Sequence, residues 1–229
     1  MGFPTLATEL QQVQEHLATE NPPLYEPPQR VQRVAGVFVC FGRGSAGPGA
    51  AGDVGWAGSA VLETGRRIDA ASVWGTAGGP YQPGLLALRE GALLAAALKK
   101  LDRPFDVLLV NATGRDHPRR AGLALHLGAL LDIPTVGVTH RPLLAQGVWP
   151  AEPQRGARAP LTIDGELVGF WVHTRTACRL VAIHAAWRTD PDTASRLMVE
   201  EARRARTPEP LREARRLARK ARAADARSS

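Results

Sequence analysis

The sequence contains only two cysteines, Cys40 and Cys178, among 229 residues. Two cysteines cannot supply a disulfide framework or the ligands of a zinc knuckle, so a reduced, cytoplasmic protein is expected. A long apolar run is also missing, because His126 and Asp132 interrupt the most apolar stretch, residues 121–138. A membrane span needs about 20 mostly apolar residues without such breaks. We therefore expect no membrane-spanning segment.

The first residues, MGFPTLATEL, lack the charged region and the following apolar region of a signal peptide, so none is expected. Hydrophobic residues make up 44% of the chain and charged residues 22%, which is typical of globular proteins and argues against extensive disorder. The length fits one domain, or one domain with a tail. We predict a single domain over residues 1–229.

Lysine is scarce, so arginine carries most of the formal net charge of +7. Residues 202–229 contain ten basic and three acidic side chains, which leaves the rest of the chain close to neutral. An amphipathic helix is predicted at about 209–224. Its basic residues recur at three- and four-residue spacing: Arg212, Arg215, Arg219 and Arg222. This stripe indicates a solvated helix face, or alternatively a surface for a polyanion.

Hydrophobic patterns predict an α/β fold with a mixed central sheet flanked by helices. Three strands at 31–41, 54–63 and 67–74, joined by glycine-rich or short turns, indicate an antiparallel meander. A helix, a buried strand, a second helix and a second buried strand follow, which indicates a parallel crossover. The predicted ranges of these four are 85–101, 105–110, 120–131 and 134–138. The remaining predicted elements are a helix at 6–20, strands at 161–163, 167–174 and 179–183, and helices at 192–206 and 209–224. A meander followed by this alternation is the ribonuclease H-like order.

Five short words occur in one region of the chain: PYQPG (80–84), LREG (88–91), HPRR (117–120), GLALHLG (122–128) and LDIPTVGV (131–138). In order and spacing they resemble the endonuclease V family, which are deoxyinosine-specific repair nucleases. With the first strand included, the resemblance covers roughly residues 30–220. It implies a ribonuclease H-like fold, a Mg²⁺-dependent phosphodiester endonuclease, and DNA or RNA containing a deaminated base as the partner.

The resemblance also implies roles for the loop at 80–84. Tyr81 corresponds to an aromatic wedge that stacks into the gap left by an extruded base, with Pro83 and Gly84 in the same nucleic-acid-binding loop. A tyrosine packed over a rigid double-proline turn is the structural alternative for this residue.

Further along the chain, Glu90 in LREG corresponds to a metal ligand of the family. The structural alternative is a solvent-facing glutamate beside Arg89 in the first helical turn, where the helix dipole favours a negative charge. His117 is the candidate that assists catalysis. Arg119 and Arg120 are expected at a helix N-terminus, where they could contact phosphates.

Two departures from the family affect the metal site. The family's first strand reads Gly-Val-Asp-Val with a ligating Asp, and the corresponding residue here is Phe38. The second ligating Asp corresponds to Asn111, a lysine corresponds to His140, and a late histidine corresponds to Trp187. Because Mg²⁺ prefers anionic oxygen ligands, Glu90 and Asn111 alone form a weak site.

Three functions remain open at this point. The first is a protein that binds nucleic acid with a deaminated base and cleaves it weakly or not at all. The second is an active Mg²⁺-dependent endonuclease with a rebuilt site, and the third is a non-catalytic protein-interaction module. The rebuilt site would consist of Glu90, Asn111, Asp116 and His117.

Overall fold

A computed structural model describes residues 2–28, 32–42 and 48–226 of the chain. The predicted start of the first strand at residue 31, and part of the glycine-rich turn at 42–53, lie outside the described residues. The helices are α1 (Ala7–Thr19), α2 (Leu86–Lys99), α3 (Leu123–Leu131), α4 (Pro191–Glu201) and α5 (Glu209–Asp225). The strands are β1 (Arg33–Phe41), β2 (Val54–Glu63), β3 (Arg66–Thr76), β4 (Val107–Val110), β5 (Thr135–Thr139), β6 (Arg158–Ile163), β7 (Glu166–Val172) and β8 (Val181–Ala185).

The eight strands form one mixed sheet in the order β3-β2-β1-β4-β5-β8-β7-β6. The antiparallel meander β1–β3 and the parallel strands β1, β4 and β5 confirm the predicted ribonuclease H-like architecture. The hairpin β6–β7 and strand β8 extend the sheet through an antiparallel pairing of β8 with β5. Because parallel strands end at the same edge of a sheet, the residues that follow β4 and β5 are neighbours there.

Helices cover both faces of the sheet, and the side chains of β1 alternate between them. Ala35 and Val37 belong to the core formed with α1, α2 and α3. Val34 instead packs in a second core with residues of α4 and with Leu211 of α5. None of the described helices has the length and apolar character that a membrane crossing requires.

Helix α5 approaches the sheet unusually closely, at two positions where a glycine leaves space. A Cβ atom on Gly36 would lie 2.3 Å from the carbonyl carbon of Pro210. One on Gly58 would lie 2.4 Å from the carbonyl oxygen of Ala214. The backbone of α5 therefore rests directly on β1 and β2, which fixes where its arginines lie.

The segment HPRR does not begin a helix, so that prediction is wrong. Arg120 donates its backbone N–H to the His117 carbonyl oxygen over 2.9 Å and has a φ of 53°. A positive φ is incompatible with a right-handed helix. Residues 117–120 form a turn, and α3 begins only at Leu123.

Candidate nucleic-acid interface

The loop PYQPG forms a tight turn that presents Tyr81. The backbone N–H of Leu85 donates to the Gln82 carbonyl oxygen over 3.0 Å, with Pro83 and Gly84 at the two central positions. Gly84 has a φ of 77°, which is the reason for glycine after proline in such a turn. Tyr81 is 46% exposed at the surface. The predicted wedge residue is thus available for stacking.

The carbonyl oxygen of Gly84 accepts hydrogen bonds from three side chains. His117 Nε2 and Arg119 Nη2 each donate to it over 3.0 Å, and Gln14 Nε2 donates over 3.2 Å. Arg119 Nε also donates to Gln14 Oε1 over 2.8 Å. These bonds hold the loop against α1 and against the turn at 117–120. The sequence does not predict this role of Gln14, because its position on α1 does not distinguish it from a surface glutamine.

His117 is buried, with 3% of its surface exposed, and both ring nitrogens have backbone partners. Nε2 donates to Gly84, while Nδ1 accepts from the Arg119 backbone N–H over 3.1 Å. Burial is the main reason why the pKa of His117 falls to about 4. The imidazole is therefore neutral at pH 7 and positions the loop. A catalytic role for His117 stays a prediction.

Five of the residues predicted for the site line one pocket of about 280 Å³: Tyr81, Pro83, Gly84, Asn111 and His117. Its walls also include four side chains that the sequence alone did not single out: Thr113, Leu123, Arg141 and Leu143. Arg141 follows β5 closely. Because residues after parallel strands lie at the same edge of the sheet, this position is the sequence feature that could have indicated Arg141. Glu90 lies one helical turn after Leu86 and Ala87, which line the pocket.

Asp116 is fully buried and its carboxylate is occupied by backbone donors. The N–H groups of Leu143, Leu144 and Ala145 donate to it over 2.6 to 2.8 Å. His184 Nδ1 lies 3.5 Å from the same carboxylate. Asp116 thus fixes the loop that forms one wall of the pocket.

Arg119 and Arg120 both have protein partners, so neither side chain is a freely extended cation. Arg119 binds Gln14 and Gly84 as described. Arg120 Nη2 lies 3.3 Å from both the Ile163 carbonyl oxygen and Asp164 Oδ2. Contact of these two residues with phosphates stays a prediction.

Arg89, the neighbour of Glu90, does not face solvent. It is 5% exposed, donates to Asp53 Oδ2 over 2.8 Å, and lies 4.0 Å from the centre of the Phe41 ring. The hydrogen bond from Arg89 lowers the pKa of Asp53. This pair holds the segment before β2 against α2.

The residues at the metal positions do not fit a divalent cation. Phe38 follows the last residue of β1 that pairs with β4, and Asn111 follows β4 directly. The guanidinium carbon of Arg215 lies 4.9 Å from the centre of the Phe38 ring. Burial raises the pKa of Glu90 to about 7, against the opposing charge of Arg89. Within the described residues, no group of three His, Cys, Asp or Glu side chains could hold a metal ion.

Two other positions that differ from the family have clear local roles. Trp187 packs against the core, and its Nε1 donates to Asp132 Oδ1 over 3.2 Å. His140, directly after β5, accepts at Nδ1 a hydrogen bond of 3.0 Å from Arg206 Nη2. Neither side chain supplies a carboxylate that could hold a cation.

The sequence and the fold of this chain are similar to those of known proteins. The family model described as Endonuclease V matches residues 12–216. The endonuclease V of Methanopyrus kandleri is 42% identical over 190 residues, which are 82% of this chain and 77% of that protein. The crystal structure of the Streptomyces avermitilis endonuclease V superimposes with a TM-score of 0.85 at 33% identity, covering 98% of this chain and 96% of that one. The Ciona intestinalis endonuclease V, solved with DNA containing an inosine, has a TM-score of 0.74 at 20% identity over 94% of this chain and 97% of that one, and so shares the fold.

Proposed function

Because this chain belongs to the endonuclease V family, we propose that it binds nucleic acid containing a deaminated base and cleaves it weakly or not at all. One observation carries the proposal. The predicted loop residues Tyr81, Pro83 and Gly84 line a pocket together with His117. The positions expected to hold metal ligands are instead occupied by Phe38 and Asn111, and the Arg215 guanidinium lies over the phenyl ring.

Base binding is supported by the shape and rigidity of the pocket. Leu123 and Leu143 supply apolar walls, and the Asn111 amide supplies both a donor and an acceptor. Tyr81 stands exposed on a loop whose carbonyl oxygen at Gly84 is held by three donors. A preorganised loop loses little entropy when a base stacks on it. The inosine-containing DNA in the Ciona intestinalis structure suggests which base to test first.

Weak or absent cleavage is supported by the charges around Phe38. Hydrolysis assisted by metal ions needs anionic ligands that hold the ions against the phosphodiester. Here a phenyl ring and a neutral amide stand at two ligand positions, and Glu90 is the one carboxylate that remains. The guanidinium of Arg215, over the Phe38 ring, adds a positive charge beside one of these positions.

The test is a binding titration run beside a cleavage assay. Two fluorescent duplexes that differ only by one inosine are titrated by anisotropy, and the same duplexes are incubated with Mg²⁺ or Mn²⁺ and separated on denaturing gels. We expect tighter binding of the inosine duplex and little or no product. Rapid cleavage would instead support an active enzyme with a rebuilt site. Equal and weak binding of both duplexes would favour a protein-interaction module.

Tyr81→Ala tests the wedge within this experiment. Stacking of a base on an aromatic side chain is worth about 1–3 kcal/mol, so binding of the inosine duplex should weaken by roughly one to two decades. Trp74→Ala is the matched control, because Trp74 is an aromatic on β3 that is even more exposed than Tyr81, at 72%. Identical effects of the two variants would contradict the wedge.

A further inference from the structure

A cluster of basic side chains occupies the edge of the sheet beside the base pocket. Arg215, on α5, lies with its guanidinium carbon 4.9 Å from the centre of the Phe38 ring. This ring packs partly buried beside Cys40 and Trp56. The phenyl group thus forms a platform that fixes the plane of a guanidinium, in a geometry that favours cation–π attraction.

A second guanidinium, from Arg206, joins the cluster from the segment between α4 and α5. Its Nη2 donates to His140 Nδ1 over 3.0 Å, and its backbone carbonyl oxygen accepts from Thr174 Oγ1 over 2.8 Å. Since Nδ1 accepts this bond, the His140 ring is neutral. Burial, then the charges of Arg206 and Arg215, lower the pKa of His140. Both arginines are therefore close to the same imidazole.

No carboxylate lies within ion-pair distance of this cluster among residues 2–28, 32–42 and 48–226. Neither Arg206 nor Arg215 forms an ion pair there, whereas Arg216 on the next position of α5 pairs with Glu213 over 2.8 Å. Nε of Arg215 is buried without a hydrogen-bond partner. Burial and the charges of Arg219 and Arg206 lower the pKa of Arg215. A bound anion would offset the repulsion and satisfy the buried N–H group.

Two concave surfaces share Arg141, which directly follows His140. Arg141 lines the base pocket and also a groove of about 640 Å³ that contains His140 and Arg206. Trp149 and Arg179 line the same groove, and Trp149 is 71% exposed. Basic and aromatic side chains together are typical of surfaces that follow a nucleic-acid strand. The backbone of a strand whose base enters the pocket would pass the cluster.

We propose that Arg206 and Arg215 bind a backbone phosphodiester, so that the protein's own guanidinium groups supply the positive charge that metal ions would otherwise bring to this edge of the sheet. The planar fork of an arginine matches two phosphate oxygens, and Phe38 serves as the platform of the site. This inference rests on the proposed function for its nucleic-acid ligand. The proposed phosphate site predicts that the protein binds nucleic acid without a divalent ion.

The test measures affinity in EDTA from about 50 to about 300 mM KCl, with the full chain and the inosine duplex. Arg206→Gln and Arg215→Gln should each weaken binding roughly tenfold and lower the salt slope by about one. Arg216→Gln is the matched control, because Arg216 is exposed on the same helix and is already paired with Glu213. Arg206 lies outside the helices, so its variant remains informative even if Arg215→Gln fails to fold.

A second arm separates a polymer phosphate from a free one. Thermal unfolding is measured with and without inorganic phosphate, for the unmodified chain and for Arg206→Gln. We expect no phosphate-dependent shift in either protein. A shift that Arg206→Gln abolishes, together with unchanged duplex binding, would assign the site to a free anion and overturn the proposal.

The outcomes also separate this inference from the proposed function. A chain that binds the inosine duplex no better than the unmodified duplex refutes the proposed function. A chain that prefers inosine, but whose Arg206→Gln and Arg215→Gln variants bind like Arg216→Gln, refutes the phosphate site alone. A requirement for Mg²⁺ in binding would also overturn it.

Discussion

Replacing Glu90 by glutamine should stabilise the protein in alkaline solution. Glu90 is half-buried on α2, and burial raises the pKa of its carboxyl group to about 7 although Arg89 is adjacent. In a chain with a complete set of anionic ligands, a bound cation would compensate such a carboxylate. Here Phe38 and Asn111 stand at the other two positions, so the charged form of Glu90 has little compensation in the folded state.

The size of the effect follows from the difference between the pKa of Glu90 in the folded state and its pKa in the unfolded state. A glutamate with an ordinary pKa of 4.5 that is raised to about 7 on folding contributes stability below pH 4.5, which is lost as pH rises toward 7. At about pH 8 this difference corresponds to roughly 3 kcal/mol of unfolding free energy, and at about pH 5 to less than 1 kcal/mol. Partial exposure of Glu90 makes the first figure an upper bound. Glutamine keeps the shape and cannot ionise.

The assay is urea denaturation of the unmodified chain and of Glu90→Gln near pH 5 and near pH 8. We expect the free energy of unfolding of the variant to exceed that of the unmodified chain mainly near pH 8. Glu15→Gln is the control for loss of one negative charge, because Glu15 is exposed on α1. Added Mg²⁺ should stabilise neither protein.

Two results would refute this reasoning. If Glu90→Gln is equally or less stable than the unmodified chain near pH 8, the carboxylate is compensated in a way that the structure does not show. If Mg²⁺ stabilises the unmodified chain and not the variant, Glu90 still binds a cation and the metal positions have kept their original role.

Three further results are expected from the same structure. The double variant Phe38→Asp with Asn111→Asp should bind Mn²⁺ little better than the unmodified chain in calorimetry, because Arg215 would pair with the new carboxylate at position 38. Adding Arg215→Ala should improve Mn²⁺ binding. Tight binding by the double variant itself would contradict this reasoning. Burial lowers the pKa of His126 to about 4. As pH drops from about 6.5 to 4, protonation of this group should therefore lower the free energy of unfolding by up to about 1.4 kcal/mol per pH unit. His126→Leu should reduce this pH dependence in urea titrations, and an unchanged dependence would exclude His126 as its cause. Gly58→Ala places a Cβ 2.4 Å from a backbone oxygen of α5 and should cost about 1–3 kcal/mol in chemical denaturation, whereas full stability would show that α5 can shift freely.

The elements that carry strong local patterns could be predicted from the sequence. The predicted range of β2, residues 54–63, is the one that the structure shows. Two short apolar runs likewise predict the buried strands β4 and β5. The turn at Pro83 and Gly84 could be predicted, because proline followed by a glycine with positive φ is typical of such a turn. In these places, local preference and tertiary structure agree.

The features that depend on distant contacts could not be predicted. The sequence pattern predicts too early a start for α3, because nothing in HPRR shows that Arg120 has a positive φ. Asp116 looked available as a metal ligand, and only the fold shows that three backbone N–H groups of another loop occupy it. The stacking of Arg215 on Phe38 joins the two ends of the sequence. A helical pattern of arginines does not say which side chain they will meet.

The close seating of α5 has a consequence for the order in which the site is assembled. Arg222 Nη1 donates to the Phe41 carbonyl oxygen across 181 residues of chain. Strands β1 and β2 can pair through a short connection, whereas docking of α5 must close a very long loop, which is a slow and entropically costly event. Single elements of a folded protein can also open locally without global unfolding. An opened state would keep the sheet and the Tyr81 pocket but would lack Arg215, so hydrogen exchange along α5 would report how often the surface is complete.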